Sequence, residues 1–134
     1  MDKMRRVSSP SVPEPPPKTW SNCKVVGNHV YLAGMVSRDA SGAIAGGDSM
    51  YAQAKVVFGK IKALMEAAGG KVDDVIKVNI YVTDMARREE VWKARAETFS
   101  GDFPCSTLVQ VAALGQPEIL VEVEAVGFIG AGAP

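Results

Sequence analysis

The most regular alternation of apolar and polar residues in the chain runs from Val75 to Val82. Apolar side chains occupy one set of positions and mainly polar ones the set between: Ile76, Val78, Ile80 and Val82 against Lys77, Asn79 and Tyr81. Because side-chain direction in a strand repeats every two residues, this pattern predicts a strand with one buried face.

A helical pattern precedes this strand. Apolar residues recur there at spacings of three and four, at Val57, Ile61, Leu64, Met65 and Ala68. Such spacing places them along one face of a helix. Asp48 or Ser49 can cap the first turn, and Gly69-Gly70 can end the helix after about Ala68.

Shorter patterns predict the remaining elements. Two apolar runs flank the turn Gly27-Asn28 and predict a hairpin, followed by a loop over residues 38–47 with an extended piece around Ile44. After Asp84, which can cap a helix, the pattern predicts a helix over roughly 86–99 and strands over about 107–113 and 119–127.

The resulting order, β-β-α-β-α-β-β, predicts an α+β domain in which a mixed sheet carries two helices on one face. The other face of the sheet would then need cover, and a symmetric oligomer would provide it. We assign this single domain to residues 19–134. Residues 1–18 hold most of the prolines and few apolar side chains, which predicts a flexible or extended arm. Such an arm could also dock on a neighbouring subunit.

Composition excludes several classes of protein. The chain has 134 residues, with 15 basic and 15 acidic side chains, so it lacks the basic field that a nucleic-acid binder needs. Cys23 and Cys105 lie in no metal-binding pattern, which predicts neither a disulfide framework nor a metal site. No apolar run approaches the roughly 20 residues that span a bilayer. We therefore expect no membrane partner, no cofactor and a cytoplasmic location.

Several segments resemble the RidA/YjgF/UK114 family. They are LAGMVS around Gly34, GGD at 46–48, MEAAGGKVDDVIKVNIYVTDM at 65–85, FP at 103–104 and LVEVEAVG at 120–127. The resemblance implies a chorismate-mutase-like fold, a homotrimer with an inner barrel of sheets, and three clefts between subunits. It also implies cofactor-free hydrolysis of enamines and imines to carbonyl compounds and ammonia.

Glu122 is the candidate catalytic residue. It lies on the last predicted strand and, by the resemblance, matches the glutamate that faces the family's cleft. A carboxylate on a rigid strand can orient a water molecule and carry protons. The alternative is an edge carboxylate in solvent or an interface ion pair. Glu124, on the same face, is expected to have a structural role or to contact another subunit of the trimer.

The segment after Pro104 departs from the family pattern. Family members that deaminate 2-imino acids carry an arginine two residues after this proline, and here that position is Ser106. A guanidinium binds a carboxylate through two parallel hydrogen bonds, and their loss costs about 3 kcal/mol, on the order of a hundredfold in affinity. Lys93, Arg87, Arg88 or Arg95 could reach in from elsewhere, although helix charges usually face solvent. The sequence predicts a substrate other than a simple 2-imino acid.

The other candidate substrate-binding residues follow from the same resemblance. Trp20 and Trp92 would make the cleft more apolar, or they would pack at the subunit interface. Backbone groups of Gly34 and Leu108 can still bind the ligand, because their role does not depend on the identity of the side chain. Ser106 and Thr107 can bind the ligand or the water.

Cys105 is expected to line the cleft. The alternative is a nucleophile, which would need a nearby cation or histidine. The single histidine, His29, lies beside a hairpin turn.

Three functions remain in competition. The first is a hydrolase or deaminase of an imine, enamine or related C–N compound, with Glu122 handling water and protons. The second is a non-catalytic trimer that binds a small metabolite in the same cleft. Ribonuclease activity, which is described for some members of the family, is a distant third because the charges balance.

Overall fold

The computed structural model describes residues 2–132. A single six-stranded sheet has the strand order β1-β2-β3-β6-β4-β5. All neighbouring strands pair antiparallel except β4 and β5, which are parallel. The strands are β1 (Arg5–Arg6), β2 (Cys23–Val26), β3 (His29–Met35), β4 (Val75–Val82), β5 (Cys105–Gln110) and β6 (Val121–Phe128).

Two helices cover one face of this sheet. The long helix α1 spans Met50–Ala67, and the Ser49 side chain accepts a hydrogen bond from the backbone N–H of Ala52, so Ser49 is the cap. A short 3₁₀ turn, Met85–Arg87, leads into α2 (Arg88–Thr98), and Asp84 caps that turn through the N–H of Ala86. The α+β class and the two-helix, mixed-sheet architecture are confirmed.

The core lies between the helices and the covered face of the sheet. Buried side chains of α1 meet those of the central strands, among them Phe58, Ile61, Leu64, Val78, Ile80, Val121 and Val123. Residues at the alternate strand positions, including Lys77, Asn79, Tyr81, Glu122 and Glu124, point to the opposite face. We call this second face the open face.

Ile76 departs from the predicted pattern. The bounds of β4 match the predicted strand, but the register with β6 shifts between Val75 and Lys77. The shift is typical of a bulge, which moves one side chain out of the alternation. Ile76 is consequently 47% exposed, and the prediction that it shares the buried face is wrong.

Two predicted strands differ from the structure at their ends. β5 begins at Cys105 and ends at Gln110, earlier than predicted, and β6 covers Val121–Phe128. The extended piece at Ile44 forms an isolated antiparallel bridge with Arg38. β5 is an edge strand: among residues 2–132 no strand pairs with its outer side, and five of its six residues are exposed.

The proline-rich segment lies against the sheet in this structure. Arg5 and Arg6 pair with β2, and the side chains of Val7 and Val12 are buried in the core. Sequence composition did not indicate these two contacts, because two isolated valines give no periodic signal. Residue 1 of the predicted arm and residues 133–134 of the predicted domain lie outside the described residues.

Residues 2–132 contain neither a membrane-spanning helix nor a cluster of metal-binding side chains. No helix there is both long enough and apolar enough to cross a bilayer. Within the same range, no group of three or more His, Cys, Asp or Glu side chains could hold a metal ion.

Candidate functional site

Glu122 lies near the middle of the open face. In the β4–β6 ladder it stands opposite Tyr81, and Glu124 stands opposite Asn79. Its carboxylate contacts β3 at Gly34, where a β-carbon added to the glycine would lie 2.7 Å from Oε2 and 2.8 Å from Cδ of Glu122. The register between β3 and β6 shifts at this point, between Leu32 and Met35. A bulge and a missing side chain together make room for the carboxylate.

The surroundings of Glu122 favour its neutral form. Burial, followed by the nearby negative charge of Glu124, raises the pKa of Glu122 above its ordinary value. A carboxyl with a raised pKa can both accept and return a proton closer to neutral pH. Glu122 is therefore suited to proton transfer.

Glu124 has hydrogen-bond partners within the sheet. Its Oε1 accepts hydrogen bonds from the Tyr81 hydroxyl at 2.6 Å and from Asn79 Nδ2 at 3.2 Å. The bond to Glu124 is the main cause of the raised pKa of Tyr81. Fixed in this way, Glu124 supplies a stationary negative charge next to Glu122.

The β4–β5 register divides the residues predicted near Pro104 between the two faces of the sheet. Cys105 stands beside Lys77 and Thr107 beside Asn79, so both lie on the open face with Glu122. The Thr107 hydroxyl accepts a hydrogen bond from Lys77 Nζ at 3.0 Å. Ser106 and Leu108 stand beside Val78 and Ile80, which places their side chains on the helix-covered face. Within one chain, the predicted set is not gathered in one place.

Ser106 has a cationic neighbour on α2. Arg95 Nη1 donates a hydrogen bond to the Ser106 hydroxyl at 3.0 Å. Among residues 2–132, Arg95 has no carboxylate within ion-pair distance, and its Nε is buried without an acceptor. The Arg95 guanidinium thus lies close to Ser106, the position at which the sequence lacks the expected arginine.

The other cations of α2 have different neighbours. Arg87 pairs with Glu90 at 2.7 Å. The guanidinium of Arg88 lies over the Trp92 ring, and the ammonium of Lys93 lies over the Tyr51 ring. Trp92 itself remains 39% exposed on α2.

Trp20 borders a cavity of about 340 Å³ near the C-terminal end of β3. The wall opposite the sheet comes from the proline-rich segment, with Val12, Pro13, Pro15 and Pro16. Gly34 lines the same cavity and also contacts the Glu122 carboxylate, so the cavity and the carboxylate share this glycine as a neighbour. Sequence reasoning had associated Trp20 with a cleft, but it did not identify the prolines as the other wall.

Asn22 holds Trp20 in place, and no sequence pattern had singled it out. Its Oδ1 accepts a hydrogen bond from the Trp20 indole N–H at 3.1 Å, and its Nδ2 donates to the Pro13 carbonyl at 2.9 Å. Its backbone carbonyl accepts from the N–H of Ala33 on β3. The sequence shows only an asparagine two residues after a tryptophan, and the burial of Asn22 becomes visible in the structure.

Cys105 has no histidine beside it. The His29 ring packs against Phe128 and Tyr31 at the start of β3, and two strands separate β3 from β5. The Cys105 thiol is exposed. Lys77, the cation that stands beside Cys105 in the β4–β5 pairing, donates its hydrogen bond to the Thr107 hydroxyl instead.

Comparisons with known proteins agree on one family. The sequence model of a family described as Endoribonuclease L-PSP matches residues 13–129. A 2-iminobutanoate/2-iminopropanoate deaminase from Dermatophagoides farinae is 31% identical, over 96% of this chain and 99% of its own length.

Solved structures show the same likeness. The crystal structure of a Pseudomonas aeruginosa protein of unknown function is 40% identical, covers 98% of this chain and 96% of that one, and has a TM-score of 0.87. The crystal structure of RidA from an Antarctic Psychrobacter is 33% identical, with a TM-score of 0.84 and coverage of 93% and 99%.

Proposed function

Because this chain belongs to the Endoribonuclease L-PSP family, which is also the RidA/YjgF/UK114 family, we propose that it hydrolyses an imine, enamine or related C–N compound. One observation carries the proposal. Glu122 is held on a rigid strand against Gly34, with a pKa raised by burial and by Glu124. That environment suits a carboxyl that takes up and returns protons during hydrolysis.

The reaction needs only water and one proton-carrying group. The Glu122 carboxylate takes a proton from a water molecule as the water oxygen bonds to the imine carbon. The electron pair of the C=N bond of the protonated imine moves to nitrogen, which gives a neutral carbinolamine. Glu122 then returns its proton to the carbinolamine nitrogen. As the C–N bond breaks, Glu122 takes the hydroxyl proton and passes it to the departing ammonia, so that a carbonyl compound and ammonium leave. No electrons are gained or lost, so no redox cofactor is required.

We further propose that the working unit is a homotrimer with the site in a cleft between subunits. The open face and the edge strand β5 leave apolar side chains uncovered, including Tyr31, Phe103 and Val109. Ser106, Leu108 and Trp92, which lie off the open face or outside the Trp20 cavity, would approach Glu122 only from another copy. Native mass spectrometry tests this assembly, and a dominant monomer at micromolar concentration would contradict it.

The substrate we propose is not a simple 2-imino acid. Ser106 cannot bind a carboxylate through two parallel hydrogen bonds as a guanidinium does. The Arg95 guanidinium already donates to the Ser106 hydroxyl, and its Nε is buried. With Ser106 and Arg95 arranged in this way, a neutral or larger substrate fits better than a simple 2-imino acid. Thr107 and the backbone of Gly34 would position that substrate.

The test is a panel of enzymatically generated imines with ammonia release as the readout. It includes 2-aminoacrylate together with aromatic and amino-group-blocked imines. Glu122→Gln is expected to lose at least about a hundredfold in kcat, within the range attributed to general acid–base catalysis. Glu66→Gln, an exposed glutamate on α1, is the matched control and should keep the wild-type rate. Equal rates for Glu122→Gln and wild type on every substrate would refute the enzymatic proposal.

A non-catalytic metabolite-binding trimer is the second candidate. The preformed cavity beside Trp20 favours it, since that cavity needs no chemistry to hold a ligand. Binding of a panel member without any ammonia release would support it. Endoribonuclease activity, which the name of the family suggests, finds no support in the balanced charge of the chain.

A further inference from the structure

The cavity beside Trp20 has no role in the reaction just proposed. It opens between the proline-rich segment and the end of β3, and Gly34 in its wall also contacts the Glu122 carboxylate. We propose that this cavity binds a flat aromatic substituent of the substrate, stacked on Trp20, while the C=N group lies at Glu122. The inference rests on the proposed function for the reaction, and it adds the substrate class.

The wall of the cavity is preformed. The Trp20 ring is 55% exposed, yet its indole N–H is bonded to the buried Asn22, which also holds the carbonyl of Pro13. An exposed indole normally changes rotamer freely, so this anchorage removes part of the entropy cost of binding. A second bond, from Arg6 Nη2 to the Trp20 carbonyl at 3.3 Å, ties the tryptophan backbone to β1.

The chemistry of the lining selects an apolar ligand. Proline rings and Val12 face the cavity on one side, with Met35 on the other. Two charged side chains that also line it have partners: Glu14 pairs with Arg6, and Arg38 donates to the Gly42 carbonyl and to Gln116. Lys60, which also lines it, donates to the carbonyls of Val36 and Arg38 at 2.7 and 2.6 Å and is largely occupied by these bonds. Ring faces on proline and tryptophan favour a flat partner, since aromatic stacking adds to the benefit of burial.

The position of Gly34 connects the two halves of the site. It lines the cavity and also contacts Glu122, so a ligand bridging them passes over a residue without a side chain. A three-carbon imine is too short to fill a cavity of about 340 Å³ and reach the carboxylate as well. We expect an aromatic group on the imine carbon to occupy the cavity while the C=N group stays beside Gly34 and Glu122.

The test measures binding rather than turnover, so that its result is independent of the reaction. Three stable amides serve as probes: benzamide is flat, cyclohexanecarboxamide has similar size without flatness, and acetamide lacks the substituent. Isothermal titration is done on the full-length wild type and on Glu122→Gln. We expect benzamide to bind at least about tenfold more tightly than either other amide, which corresponds to one stacked aromatic contact.

Three variants test whether the preference for benzamide depends on Trp20. Trp20→Leu, which keeps apolar bulk but not flatness, should lose this tenfold preference, and Trp20→Phe should retain most of it. Met4→Ala removes another exposed apolar side chain from the same segment, outside the cavity, and should leave binding unchanged. Melting curves confirm that each variant is folded.

Either of two results would overturn the inference: equal affinity for benzamide and cyclohexanecarboxamide, or an unchanged preference in Trp20→Leu. The proposed function fails separately, when Glu122→Gln retains the wild-type rate of ammonia release. Trp20-dependent binding of benzamide combined with that retained rate would keep the aromatic site and reject Glu122 as the catalytic group.

Discussion

The carboxylate of Glu122 occupies the space that a side chain on Gly34 would need. A β-carbon there would lie 2.7 Å from Oε2 and 3.0 Å from Cγ of Glu122, closer than such atoms approach in proteins. The clash involves the movable end of a side chain and not the backbone. The contact therefore restricts the position of the carboxylate more than it restricts the fold.

Gly34→Ala should consequently lower activity far more than stability. We expect kcat/KM to fall at least about tenfold, because a shift of about 1 Å in a catalytic group costs up to a hundredfold in rate. The free energy of unfolding should change by less than about 1 kcal/mol, because only a side chain must move. Ammonia release and urea denaturation measure the two quantities.

Gly59→Ala is the control for that substitution. Gly59 is an exposed residue of α1, and a β-carbon there meets nothing within 4 Å. Alanine should raise the free energy of unfolding by about 0.5–1 kcal/mol through helix propensity and leave activity unchanged. A large loss of stability in Gly34→Ala would show that the glycine is required for the β3 bulge itself.

Glu122→Gln should stabilise the protein at neutral pH while removing its activity. Burial, then Glu124, raises the pKa of Glu122 in the folded state above 4.5, so the ionised carboxylate costs folding free energy at pH 7. That cost is absent below the unfolded pKa, where the group is protonated in both states. The stability gain of the variant should therefore shrink as the pH falls towards 4.5. A melting temperature that is lower than that of wild type at pH 7 would contradict this.

Glu124→Gln should move the acidic limb of the pH–rate profile to lower pH. Glutamine removes the negative charge next to Glu122 but keeps an oxygen that can accept from Tyr81. The pKa of Glu122 should fall, and burial, its larger cause, should keep part of the upward shift. The measurement is kcat/KM against pH, and an unmoved limb would mean that another group controls it.

Turnover of 2-aminoacrylate should be at least about a hundredfold slower than that of the best aromatic imine, because a bidentate carboxylate contact is missing. Coupled assays that generate each imine in place give the rates. Rapid turnover of 2-aminoacrylate that is abolished in Arg95→Gln would contradict the prediction. It would show that Arg95, 3.0 Å from the Ser106 hydroxyl, replaces the missing arginine.

Asp74→Asn should destabilise the fold in a pH-dependent way. Burial raises the pKa of Asp74, but the backbone N–H groups of Gly132, Gly130 and Lys71 outweigh it and hold the pKa below 3.8. The ionised form therefore stabilises the fold above that pH, and this contribution is lost as the pH falls through the folded-state value. We expect a loss of about 1–3 kcal/mol at pH 7 that narrows below pH 4 in urea titrations. Asp102→Asn, at an exposed position, should show neither effect.

The sequence predicted the elements whose periodicity is local. The strand Val75–Val82 and a helix cap at Asp48 or Ser49 could be predicted, because alternation and capping depend on neighbouring residues, and the structure identifies Ser49 as the cap. The face of the sheet on which Ser106 lies could not be predicted, because the parallel pairing of β5 with β4 determines it. The burial of Val7 and Val12 likewise depends on contacts with residues distant in the chain.

The candidate site was predicted in part for the same reason. Glu122 could be chosen by resemblance, and its raised pKa fits the role, but its contact with Gly34 depends on a bulge that the sequence does not indicate. The cavity beside Trp20 requires Asn22 to bring two distant segments together. Neither relationship has a periodic signature.

The edge strand β5 also bears on the behaviour of the protein in solution. A strand with one unpaired side presents backbone donors and acceptors that template the addition of further strands from other chains. With five of its six residues exposed, β5 has little built-in protection of its own. In the proposed trimer another copy would cover this edge. Mutations that break the trimer and so expose β5 are therefore expected to cause precipitation during purification, and solubility becomes a simple first indicator of assembly.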